Sequence, residues 1–198
     1  MNIKQLTERY KKLPGRIIPR AGAALILSSD HTQKIDASER KQLPDGNSRQ
    51  RWLKIATSDP DRSGDVMVIE GMQTDNFDRN PQFLWQHGLT SEPVHTIGHV
   101  VKLYKTKTAI YALAEYASAE ESILAEKIFK LDIAGLLPAN SIGFRPIEWI
   151  PNEHGGVTFK KWELIEVSKV EIPCNPYAID EGQPSSKALS ITEAARLL

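Results

Sequence analysis

From Arg51 to Ile172 the sequence is interrupted every few residues by clusters of turn formers, and that spacing permits short strands far better than helices. Arg51 to Thr57 reads as a strand closed by Asp59-Pro60-Asp61-Arg62-Ser63-Gly64-Asp65. Val66 to Ile69, Phe83 to Gln86, Ile97 to Tyr104 and Ala109 to Tyr116 follow as further short strands, and two more are expected around Ser141 to Ile150 and Val157 to Ile172. One stretch departs from the pattern. Ser118 and Glu121 form a capping box, Leu124, Ile128 and Leu131 then recur at helical spacing, and Gly135 supplies a stop. The expected fold class is α+β and β-rich, a closed or partly open β-barrel with one main helix after the central strands. Ile191 to Leu198 is expected to add a second, short C-terminal helix.

A chain of 198 residues, 40% hydrophobic, has enough apolar material for one domain with a real core. Residues 1–15 read as a flexible basic leader ending in Leu13-Pro14-Gly15, and residues 16–180 as the barrel domain. Within that domain Ile17 to Ser28 is expected to be a strand, and residues 30–50, with Pro44-Asp45-Gly46, a mobile loop. Residues 181–198 read as linker and tail. Of 25 Lys/Arg and 25 Asp/Glu, residues 1–50 hold ten and five, leaving fifteen and twenty for the rest. The basic leader lacks interleaved aromatic residues, so no specific nucleic-acid partner is expected. Ala21 to Leu27 is too short to span a membrane, and the single cysteine, Cys174, excludes an intrachain disulfide; a soluble intracellular protein is expected.

The chemistry concentrates near two strands. With strict alternation from Trp162 to Ile172, Trp162, Leu164, Glu166, Ser168, Val170 and Ile172 share one face. The other face carries Lys161, Glu163, Ile165, Val167, Lys169 and Glu171 and is expected to be solvated. A carboxylate at Glu166, on the more apolar face, requires a partner. In Asn140-Ser141-Ile142-Gly143-Phe144-Arg145-Pro146, Ile142 and Phe144 are expected to face the core, which puts Ser141, Gly143 and Arg145 on the opposite face. Gly143 would allow a backbone or a substrate to approach closely. Phe83-Leu84-Trp85-Gln86-His87-Gly88 ends an apolar strand in a histidine placed for a cleft rim. Serine, histidine and a carboxylate are the groups acyl transfer needs, because imidazole must take the hydroxyl proton and an acceptor must fix the imidazole tautomer.

The ordered set of motifs resembles the prohead proteases of tailed bacteriophages. The matching pieces are Thr57 through Asp65, Arg79-Asn80-Pro81 leading to Leu84-Trp85-Gln86-His87, Pro93 with Ile97-Gly98, the helix, Ser141-Ile142-Gly143-Phe144, and Glu163 to Ser168 running on to Pro173-Cys174-Asn175-Pro176. The resemblance implies an assemblin-like barrel in which His87 is the general base, Ser141 the nucleophile and Glu166 the third member, with Glu163 as the competing acid. It also implies cleavage of capsid precursor and scaffold proteins, and of the enzyme itself, in the host cytoplasm inside an immature head, without a cofactor; homo-oligomerisation stays open. Gly88 and Cys174 depart from the family's usual Asp and Ala, and residues 1–50 align with nothing in it.

Other readings compete. A barrel of the same fold that binds scaffold or capsid without activity would differ only in its triad. A zinc site from His87, His95 and His99 lacks a helix to converge the last two and is not expected. Cys174, flanked by prolines rather than at a helix N-terminus, reads as a packed thiol. Arg145 reads as a surface salt-bridge former rather than part of an oxyanion site.

Overall fold

The computed structural model describes residues 49–180. The leader, the expected strand at 17–28, nearly all of the 30–50 loop, the linker and the C-terminal helix lie outside the described residues. The elements are β1 (Gln50–Thr57), β2 (Val66–Met67), β3 (Met72–Gln73), β4 (Gln82–Trp85), β5 (Thr96–Lys105), β6 (Ala109–Tyr116), α1 (Ile123–Ile133), β7 (Asn140–Pro151) and β8 (Val157–Lys169). The strands follow the turn signals closely, although β8 ends at Lys169, three residues before the expected boundary. The Ser118–Glu121 box forms, with Ser118 N–H donating to Glu121 Oε2 at 2.7 Å. It shapes the turn before the helix rather than the helix start. Ser122 is the actual cap and accepts from Ala125 N–H at 3.1 Å. Left-handed Gly135 lies just beyond the helix end, as its sequence position suggests.

All the described strands belong to one sheet in the order β1-β6-β5-β4-β8-β2, with β3 and β7 also paired to β8. Strand β8 is the axis. One edge takes β2, β3 and β4 in parallel, one after another, and the other edge takes β7 antiparallel. The sheet then curls until β1 approaches β7: Asn140 Nδ2 donates to Lys54 O at 3.1 Å, and Lys54 N–H and Asn140 Nδ2 share Asp180 Oδ1. A nearly closed, β-rich barrel with a helix against it results. Its interior is filled by Leu53, Phe83, Ile97, Ile110, Leu164 and Val167, with Ala125 and Ile128 of α1. Burial of such side chains stabilises by roughly 1.5–3 kcal/mol each.

The tract from Thr57 to Asp65 is a structural clasp. Asp61 Oδ1 accepts from Ser63 N–H and Asp65 N–H, at 2.7 and 2.9 Å, while Arg62 donates to the Pro173 carbonyl. Asp65 Oδ1 accepts from Val157 N–H at 2.8 Å, tying the clasp to the start of β8.

Strand β8 does not alternate strictly. Its register against β7 slips at Ile165, between the pairs Phe144↔Leu164 and Gly143↔Glu166. A bulge there inserts one residue and swaps the faces beyond it. Leu164 and Val167, three apart, both point into the core with 0% exposure. The expected face assignment is corrected accordingly: Glu163, Glu166 and Ser168 lie opposite Leu164, and Glu163, Val167 and Lys169 are buried rather than solvated.

Candidate active site

Because β7 and β8 are antiparallel and the bulge at Ile165 shifts their register, three cross-strand pairs stand in a row on the outer face: Ser141↔Ser168, Gly143↔Glu166 and Arg145↔Glu163. Ile142 and Phe144 pack against the core, as their alternation requires. The residue pairs directly across such a ladder have Cβ atoms about 4.5–5.5 Å apart.

His87 reaches this face from the neighbouring strand. β4 runs parallel to β8, with Leu84 beside Ser168 and Trp85 beside Lys169, so the end of β4 has already passed Glu166. The chain must double back to return to it. It does so in a tight turn at Gln86, His87 and Gly88, all left-handed, with φ of 50°, 58° and 69°. Gly88 adopts this conformation freely, whereas each non-glycine residue in it costs about 1–2 kcal/mol. Such strain persists only where surrounding contacts hold it.

The contacts that hold it are those of the site. His87 Nδ1 lies 2.7 Å from Glu166 Oε1. Ser168 Oγ donates to Glu166 Oε2 at 2.5 Å and accepts from His87 N–H at 3.2 Å. A carboxylate only accepts, so neutral His87 carries its proton on Nδ1 and keeps Nε2 as a free base. Glu166 is 3% exposed, in keeping with the demand that a carboxylate there have partners.

Gly143 faces this carboxylate. A Cβ at position 143 would stand 2.5 Å from Glu166 Oε1 and 3.0 Å from its Cγ. Only glycine leaves room for the side chain to lie across β7 toward His87. Ser141 is partly exposed on the same face, one cross-strand pair along from Glu166. Among the described residues its hydroxyl makes no hydrogen bond to His87. Apo sites commonly hold such a contact long until substrate binds.

Glu163 is occupied elsewhere. Asn76 Nδ2 donates to its Oε1 at 2.6 Å, and Arg145 Nε to its Oε2 at 2.6 Å. The Asn76 hydrogen bond first, and then Arg145, outweigh burial and hold this carboxyl below its ordinary value. Arg145 is thus the salt-bridge former its position suggested. The Cys174 thiol is pushed up to about 12, by burial first and then by the Asp61 carboxylate, to which Sγ donates at 3.0 Å. That environment suppresses a thiolate. His95 Nδ1 contacts Thr90 Oγ1 at 3.1 Å, and His99 is exposed on β5 opposite Gln82. The structure brings neither onto the His87–Glu166 pair. Sequence reasoning passed over Ser168, which stands across from Ser141 only because of the bulge.

Two known proteins match the chain. It is 34% identical over 129 residues to a capsid polyprotein of Pseudomonas phage PAJU2, covering 62% of this chain and 18% of that protein. It is 30% identical over 140 residues to the prohead protease of Escherichia phage T5, covering 66% of this chain and 63% of that protein. The chain therefore spans less than two thirds of either relative. No family model matches it, and no solved structure does.

Proposed function

We propose that this protein is a serine endopeptidase of phage head maturation. The observation that carries the reading is the 2.7 Å contact between His87 and the buried Glu166, on the sheet face that also bears Ser141. Its similarity to a prohead protease and to a capsid polyprotein supports the same conclusion.

In this mechanism His87 Nε2 takes the Ser141 proton as Oγ attacks the peptide carbonyl, and returns it to the leaving amine. Water, activated by the same nitrogen, then hydrolyses the acyl-enzyme. Glu166 fixes the tautomer of His87 and offsets the charge of the imidazolium that forms. The substrates are the capsid precursor and scaffold proteins, and the enzyme cleaves itself as well. It works inside the immature head, in an assemblin-like barrel, without cofactor or metal. Among the described residues no helix is long and apolar enough to cross a membrane.

Co-expression of the wild type or Ser141→Ala with the major capsid precursor of the same phage, read by intact-mass spectrometry, tests this. Cleavage only with the wild type is expected. Retained binding without cleavage by either form would point to an inactive assembly barrel, and cleavage by both would exclude Ser141 as nucleophile.

A further inference from the structure

We propose that Ser168 is a positioning residue of this site, one that locks the carboxylate and the histidine turn together; the inference rests on the protease reading above. Ser168 is fully buried, at 0% exposure, so its hydroxyl is closed to substrate although it stands directly across from Ser141. A hydroxyl has one proton to give and lone pairs to accept with. Ser168 spends the proton on Glu166 Oε2 and accepts the His87 N–H. With the ring contact between His87 Nδ1 and Glu166 Oε1, the three residues close a loop of hydrogen bonds.

The loop has two consequences. Glu166 is gripped at both oxygens, so its carboxylate plane is set by a neighbour on the same strand rather than by the histidine alone. The His87 N–H, at a left-handed position, is satisfied by the same atom that aims the carboxylate. The strained turn and the acid are therefore coupled. If Ser168 lets go, Glu166 gains a rotational freedom and the turn loses an anchor at once. The proton from Ser141 is still accepted by His87, and no group is added to or removed from the chemistry. What changes is how often the imidazole points at Ser141.

The test uses the full chain. Ser168→Ala is expected to lower kcat by about ten- to a hundredfold with KM within about twofold, the loss appropriate to a hydrogen bond to a charged group. Ser168→Thr, which keeps the hydroxyl, is expected to recover part of that loss. In a Ser141→Ala background, where activity plays no part, the hydrogen-bonded His87 Nδ1 proton is expected to give a far-downfield NMR resonance that Ser168→Ala broadens or removes. Wild-type kcat in Ser168→Ala, or an unchanged resonance, would overturn the proposal. Full turnover in Ser141→Ala would instead overturn the serine-nucleophile reading, and the resonance would still report on Ser168.

Discussion

Two rows of residues, one step apart along the same three strands, show opposite treatments of a buried acid. On the outer face Leu84, Ser168 and Ser141 lie side by side, next to Glu166. On the inner face the next row is Trp85, Lys169 and Asn140. There Lys169, at 0% exposure, donates to Asp180 Oδ2 at 2.6 Å and contacts Asp132 Oδ1 at 2.8 Å. Tyr116 OH donates to Asp132 Oδ2, and Asn140 Nδ2 to Asp180 Oδ1. Burial alone would lower the Lys169 pKa, but Asp180 and Asp132 outweigh it and hold the ammonium above its ordinary value. The positive charge on this side comes from Lys169, between the two acids, and from Arg51, 3.7 Å from Asp132, and the network fastens α1, β8 and the residue that ends the described chain. On the outer side the described hydrogen bonds to the Glu166 carboxylate come from a titratable imidazole and a hydroxyl. A buried acid held that way stabilises charge only when a proton arrives on His87, which is what a catalytic acid–base pair requires. The inner acids serve the fold, and the outer one has the surroundings that the proposed mechanism needs.

Variants can separate the two rows. The largest effect is expected from Ser141→Ala: turnover falls by at least about a thousandfold, with the melting temperature unchanged. Next is Glu166→Gln, expected to lower kcat by roughly a hundred- to ten-thousandfold, while Glu163→Gln stays within about threefold of wild type in the same single-turnover cleavage assay. The reverse ranking would transfer the acid role to Glu163. Lys169→Met should act on stability, since it removes the cation between two buried carboxylates and leaves Arg51 beside Asp132 alone; a loss of about 3–5 kcal/mol in urea unfolding is expected. A loss under about 1 kcal/mol would mean that the inner network is not the fastening described here. Gly143→Ala is expected to displace Glu166 and lower kcat about tenfold while costing about 1–3 kcal/mol of stability.

The smallest expected effect is one of pH. The folded-state pKa of Glu163 is depressed, so its contribution to stability is present above its ordinary value of 4.5 and is lost as pH falls through the folded value. Urea midpoints measured from pH 6 to pH 3 are expected to fall less steeply for Glu163→Gln than for the wild type. Parallel curves would show that Glu163 makes no such contribution.

Many of the strand positions were legible because Pro, Gly, Asn and Asp clusters bracket nearly every strand. His87 and Ser141 were singled out by the ordered motifs of the family resemblance, their local positions alone being too common to mark them. Glu166 was selected on an apolar-face argument that the bulge at Ile165 reverses; the residue does lie against His87, but not for that reason. A one-residue slip has no signature in an alternating sequence, yet it decides which side of a strand a carboxylate occupies. For the same reason Lys169 looked solvated. Its partners, Asp132 on the helix and Asp180 beyond β8, are brought to it only by closure of the barrel, and no local pattern encodes that. The left-handed turn at Gln86 and His87 was equally hidden, since neither residue type demands it.

The central claim is that the outer row holds an activated serine. Its most direct test is to treat the purified chain with a fluorophosphonate, which phosphonylates activated serines, and to locate the adduct by peptide mass mapping. Modification at Ser141, lost in His87→Ala, is what the account predicts. An adduct on another residue, or labelling of Ser141 no slower without His87 than with it, would contradict the account.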